Sequence, residues 1–372
     1  AGLYMNQPEK VKLVAKSALS NYEWTVKELG VEYNLEAIGQ EGGHSVPRYV
    51  FTKNGSGSGI VTKELEKLKK MGVPVRLRCY VERIFRDDSG RVVGIQVRDG
   101  YRFPKAGSGK VKNIGVKKGL VLCYGGFSRD VDYRMMQDPK LVAKLDSTNQ
   151  PGATAGVLIK ALGIGAAPVQ LCWLQFLPYC NPNEKGFGVS VNFTNHACMD
   201  FGIVVDRKTG KRFMDEHAGR KIKSDALFNV IGKDENYPIA IASEEIVKAI
   251  NPSFVKLPIE MGTVKKFNTL EELADYFKIN KAPFLEQVER FNGFVAKQED
   301  PEFHRILKFQ NGLNLAKGPY YGIEVAPKIH HTMGGVMINP DSQVISATTH
   351  APIKGLYAGG EITGGVHGAS RL

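Results

Sequence analysis

The stretch from Pro327 to Leu372, PKIHHTMGGVMINPDSQVISATTHAPIKGLYAGGEITGGVHGASRL, sets the tightest limits on what this polypeptide can become. Glycine pairs at Gly334 and Gly335, Gly359 and Gly360, and Gly364 and Gly365, followed by Gly368, punctuate short apolar runs. Glycine alone takes positive φ, or lets another group come within the radius of a Cβ, without steric cost. Such spacing therefore means either a set of tight turns or a backbone that lies against a ligand. His330, His331, Glu361, His367 and Arg371 share the stretch, and ionisable groups set among glycines move the balance toward a binding site.

The rest of the chain supplies a scaffold of mixed type. Apolar spacing from Val11 to Leu29 predicts a helix of about five turns stopped by Gly30, and Ile60 to Met71 predicts a second, stopped by Gly72. VPVRLRCYVERIF and RVVGIQVRD, joined through DDSG, read as a hairpin. KGLVLCYGGF is continuously apolar up to its glycine pair, as a strand covered on both faces requires. SRDVDYRMMQDPKLVAKL reads as a polar helical stretch and TNQPGATAGVLIKALGIGAAP as a helix opened by glycine. From Leu171 to Tyr320 short strands, loops and helices mix, including a hairpin in VVDRKTGKRFMD with Thr209 and Gly210 at its turn. The expected class is α/β, α+β overall, in three segments: 1–171, an inserted 172–320, and a return over 321–372.

Composition narrows the function. A net charge of +12 calls for an anionic partner, but Lys and Arg are scattered without a basic run or interleaved aromatics, which argues against nucleic acid. A small anionic substrate, an acidic cofactor or an acidic protein donor fits better. Cys79, Cys123, Cys172, Cys180 and Cys198 have no CxxC spacing, so no metal or cluster site is expected, and no CxxCH attaches a haem. Cys79 and Cys123, lying in apolar strand-like runs, read as buried thiols. No apolar stretch approaches the ~20 residues of a membrane span. The chain is expected to be soluble, in a bacterial periplasm or cytoplasm.

HHTMGG, GLYAGGE and GGVHGASRL, together with TNQPGAT (Thr148 to Thr154), GGF (Gly125 to Phe127) and RFMDE (Arg212 to Glu216), resemble the flavin-dependent fumarate reductase family, which includes the flavocytochromes c and urocanate reductases. The resemblance runs nearly end to end in the family's order. It implies a partial FAD-binding domain with an inserted mixed capping domain. No GxGxxG opens a βαβ unit here, whereas the family begins with one. The sequence thus reads as a piece lacking the ADP-binding half, expected to hold FAD weakly or not at all. The family pattern places Val81, Tyr124, Gly125, Gly126, His331 and Glu361 at the flavin; Tyr124 stands where the family usually has Ala.

Reducing a carbon–carbon double bond beside a carboxylate takes a hydride from flavin N5 at one carbon and a proton at the other, with fixed cations on the carboxylate. The resemblance assigns His330 and Arg371 to the carboxylate and Arg220 to the proton. All three, in the family's arrangement, converge on one anion. A guanidinium ordinarily keeps its proton, so Arg220 needs a relay to recharge it. The family's relay Glu and Arg fall here on Asn195 and Cys198, within TNHACMD, which keeps Thr194. His196 and Asp200 are candidates to replace them. Where the fumarate enzymes carry His in QAHP, this chain reads QFLP, with Leu177. A second carboxylate there would lose its water without gaining a partner, so a monocarboxylate with an apolar or aromatic end is expected. The electron donor is expected to be separate: a cytochrome, a quinol or reduced flavin. Two other readings stay open: a ketosteroid-type dehydrogenase using Tyr179 and Tyr320, and a ligand-binding relative without catalysis.

Overall fold

A computed structural model describes residues 2–371. The chain forms two compact units, one of Ala1–Leu141, Pro151–Leu174 and His331–Arg371, the other of Val142–Gln150 and Gln175–His330.

In the first unit, Pro8 opens the helix Pro8–Trp24, where its missing N–H costs nothing. The helix runs on through a wider π-turn, Thr25–Leu29, before Gly30 stops it at φ 73°. The second helix spans Ser58–Lys70. Cys79–Arg86 and Val92–Asp99 pair antiparallel as the hairpin pattern predicts. The residues before Cys79 form no strand, and Leu77 there is 79% exposed. A third strand, Lys110–Gly115, completes this sheet. Its lysines masked it in the sequence.

Leu120–Leu122 pairs parallel with Pro352–Ala358, which also takes Gln343–Ile345 on its other side. It is an edge strand, and Val121 is 62% exposed. The expected strand covered on both faces is therefore corrected: successive side chains alternate between faces, and only the face carrying Leu122 meets the core. Leu122 joins Ile84, Val92, Phe127, Leu158 and Leu356 in one apolar cluster. The buried-thiol reading of Cys79 and Cys123 fails for the same reason, since Cys123 is exposed and Cys79 half-exposed. The buried thiols are Cys180 and Cys198. Burial pushes the Cys180 thiol up to about 12, against a smaller opposing pull from Lys328. The polar stretch after Ser128 is helical only over Val131–Gln137, with Asp130 accepting from the Tyr133 N–H (3.1 Å) as its cap and Pro139 disfavouring continuation.

The second unit is built on a four-stranded antiparallel sheet in the order Lys265–Phe267, Tyr320–Glu324, Ile239–Ser243, Ile203–Val205. Its core is larger than the first unit's and takes in Phe193, Leu227, Phe284 and Phe291. Thr269 caps Leu270–Phe277 through the Glu272 N–H (3.1 Å), and Lys281–Lys297 follows. The hairpin closes through a Val205–Arg212 bridge, with Gly210 at φ 69°. Residues 321–330, which the sequence reading gives to the returning segment, cluster with this unit, as do 142–150. Tyr320–Glu324 lies between two sheet partners, which accounts for the former. Among the described residues, no helix is long and apolar enough to cross a membrane.

Candidate active site

The residues predicted for the flavin gather in the first unit. Glu361 sits on a single 3₁₀ turn, Gly360–Ile362, just after strand Pro352–Ala358. Its Oε1 accepts from the Thr332 N–H (2.8 Å) and hydroxyl (3.2 Å) and lies 3.4 Å from His331 Nδ1. The His331 ring meets His367 edge-on at 5.5 Å. Burial, then the nearby Arg371, lowers the His367 pKa.

Gly126 is buried directly against this group: a Cβ there would overlap the Thr332 hydroxyl and the Glu361 carboxylate. Gly125, at φ 92°, and Gly360, at φ 78°, instead have open space where a Cβ would project. Closed packing behind and bare backbone in front is the form a flat cofactor needs, so these residues fit FAD. Tyr124 packs on the apolar cluster, as does Val81. A loose approach to the Leu158 backbone aside, the Tyr124 hydroxyl finds no partner among the described residues, and burial raises its pKa strongly. Gly126→Ala is expected to cost about 1–3 kcal/mol through overpacking. Urea denaturation measures it, and unchanged stability would mean that Glu361 is not held where it lies.

The residues predicted for chemistry, apart from Arg371, belong to the second unit. Arg220 is the first residue of helix Arg220–Ile231, after Gly219. His330 Nδ1 is 2.7 Å from the Thr148 hydroxyl. Leu177 lies in strand Leu174–Cys180 at 2% exposure, inside the apolar cluster. Thr194 is buried, its hydroxyl donating to the Tyr179 carbonyl (2.5 Å). It opens a π-turn, Thr194–Met199, in which Asn195 and His196 follow. Asn195 is buried, and its Nδ2 lies 3.4 Å from the His196 ring. Cys198, at the position of the family's relay Arg, is fully buried, and burial raises its thiol pKa further. Tyr179 and Tyr320 are built into the core.

The two named relay candidates, His196 and Asp200, do meet. Two further features escaped the sequence reading, the first of them His217. Asp200 lies between two imidazoles, His196 Nδ1 at 3.3 Å from one oxygen and His217 Nε2 at 3.4 Å from the other. Burial pushes the Asp200 pKa up, but the hydrogen bonds from the two rings outweigh it and hold the carboxyl well below the usual range. His217 could have been singled out, because it stands three residues before Arg220. The second feature explains RFMDE. Arg212 clamps Glu216 with two nitrogens (2.9 and 2.6 Å) and reaches Asp300 (3.0 Å), and Arg305 meets Glu216 from another side (3.3 Å). All four side chains are buried. No local signal joins Asp300 and Arg305 to a motif near residue 214.

Glycine pairs set against an acid, on a mixed scaffold of helices and sheets, point to a flavin-nucleotide-binding class, and residues 3–372 match the family described as FAD binding domain. The chain is 37% identical to the acrylate reductase flavoprotein subunit of Shewanella woodyi, over 96% of this chain and 70% of that protein. It is 32% identical to a fumarate reductase (cytochrome) of Shewanella frigidimarina, over 100% of this chain and 61% of the relative. It superimposes on the open conformation of a flavocytochrome c3 fumarate reductase with a TM-score of 0.73 at 28% identity, covering 100% of this chain and 61% of that one. The chain belongs to the flavin-dependent fumarate reductase family.

Proposed function

We propose that this chain takes part in FAD-dependent reduction of the double bond of an unsaturated monocarboxylate, with Arg220 delivering the proton. Bound FAD supplies the hydride. His331, Glu361, Gly125 and Gly126 hold the flavin, with Val81 and Tyr124 beside them. Arg371 and His330 bind the carboxylate, Arg371 because its planar fork makes paired hydrogen bonds. Thr194, Asn195 and Leu177 belong to the substrate's surroundings. Electrons come from a separate cytochrome, quinol or reduced flavin.

The observation that carries the substrate assignment is Leu177, an apolar, fully buried side chain where the family's fumarate enzymes have His. That one relative is named for acrylate, an acid with a single carboxylate, supports the same reading. A dicarboxylate would have to desolvate its second charge with no partner, at a cost of at least several kcal/mol. The test is oxidation of a reduced viologen dye by FAD-loaded protein with acrylate, methacrylate, cinnamate, urocanate and fumarate. A kcat/KM for a monocarboxylate at least about 10²-fold above that for fumarate is expected. Fumarate as the best substrate would overturn the assignment.

A further inference from the structure

We propose that His217, held by Asp200, returns a proton to Arg220 after each turnover, replacing the relay that the family pattern places at positions 195 and 198. This rests on the proposed role of Arg220.

A guanidinium that gives its proton away is left as a strong base, and it must be recharged before the next cycle. The residues at the family's relay positions cannot do this. Asn195 has no titratable proton, and Cys198 is fully buried with its thiol held protonated by desolvation. The structure supplies another set of groups. His217 lies in the turn that leads into the helix of Arg220, its own N–H donating to Asp215 Oδ1 (2.8 Å) and the Ala218 N–H to the Asp215 carbonyl (3.1 Å). Its Nε2 faces Asp200 at 3.4 Å, which leaves Nδ1 as the nitrogen that exchanges protons.

Asp200 is placed with unusual care. It terminates the π-turn, with its N–H donating to the Asn195 carbonyl (3.0 Å), and its own carbonyl accepts from Arg305 (2.5 Å). The carboxylate is thereby fixed from both sides of its backbone, with His196 on one oxygen and His217 on the other. Among the described residues, the charged groups nearby include Arg305, Glu216 and Asp215; burial raises the Asp215 pKa. Asp200 remains an anion, so it orients and balances the imidazolium without donating a proton itself. His217 keeps 24% of its side chain in solvent, and the replacement proton enters there.

The alkene gains a hydride at the β-carbon and a proton from Arg220 at the α-carbon, giving the saturated acid and a neutral guanidine. The His217 imidazolium transfers its Nδ1 proton to that guanidine, and the neutral imidazole takes one from water. One solvent proton enters by this route in each turnover; the proton carried in the hydride is taken up separately when the flavin is reduced again. His217 and Asp200 act through Arg220 and need not touch the substrate.

The test uses FAD-loaded protein with Arg220→Gln, His217→Gln, His217→Ala and Asp200→Asn, following dye-linked turnover and, separately, substrate affinity from the flavin absorbance change. The expected result is affinity within about twofold of wild type and turnover lowered about 10²-fold for His217→Gln, with added imidazole restoring part of the turnover of His217→Ala but none of that of Arg220→Gln. Asp200→Asn should fall in between, with an altered pH profile. An inactive Arg220→Gln beside a fully active His217→Gln would remove the relay and leave the role of Arg220 standing. Loss of substrate affinity in His217→Ala without imidazole rescue would make His217 structural and also end the proposal. An active Arg220→Gln would remove the underlying role of Arg220, and the relay with it.

Discussion

Arg220→Gln is expected to lower kcat about 10³-fold while leaving the fold intact, because general-acid residues contribute about 10² to 10⁴ to rate. The position makes this substitution informative. Arg220 opens helix Arg220–Ile231, where the aligned peptide dipoles present their positive end. A cation there is set against the dipole at a cost of about 0.3–1 kcal/mol, and a neutral amide relieves it. Helix chemistry alone would favour Ser, Asp or Glu near this point. Turnover and the urea midpoint, measured on the same preparation, should therefore separate: activity lost, stability changed by less than about 1 kcal/mol. If both fall together, Arg220 is a structural residue and the proton comes from elsewhere.

Glu216→Ala is expected to behave in the opposite way, costing about 3–5 kcal/mol, because it strands two guanidiniums in the interior. Glu216 is the shared acceptor of Arg212 and Arg305 and also takes the Val204 N–H (3.1 Å), so one carboxylate joins the sheet, the turn before Arg220 and the segment after helix Lys281–Lys297. Phe291 lies against both guanidiniums, at 5.2 and 5.4 Å from its ring centre, and keeps water out. Burial raises the Glu216 pKa, but Arg212 and then Arg305 reverse this and leave it lowered. Its contribution to stability is then present above the unfolded-state value of about 4.3 and is lost as pH falls toward the folded value. Urea denaturation at pH 7 and near pH 3 checks both statements. The gap between wild type and Glu216→Ala should be wide at the first pH and narrower at the second. An equal gap at both would mean that the carboxylate is not what holds the cluster together.

The elements legible in the sequence are those whose signals are local. Gly30 and Gly72 stop helices, and the hairpins at DDSG and KTGK declare themselves within a dozen residues. What the sequence hid depends on neighbours it cannot display. Leu120–Leu122 looks like an interior strand because every residue is apolar, yet its place at a sheet edge leaves Val121 exposed. Lys110–Gly115 gives no strand signal of its own because most of its side chains face water, and only the pairing with Val92–Asp99 makes it a strand. The same division holds at the site. Gly126, Thr332 and Glu361 are far apart in the chain, and nothing short of the family resemblance brings them together on paper. The Arg212 cluster draws on Asp300, 88 residues away, and is invisible to any local reading. His217 was within reach, since a histidine one turn before a proposed proton donor is a local fact.

The π-turn at Thr194–Met199 carries a further implication. Its hydrogen bonds run from residue i back to i−5, so each turn holds about one residue more than an ordinary helix, while Asp200, four residues after His196, stays one turn above it. Removing a single residue from the turn would return it to α-helical bonding and rotate the chain that follows, so the orientation of Asp200 toward His217 depends on that extra residue. The reach of Asp200 to its second imidazole is thus tied to the length of the chain at one spot.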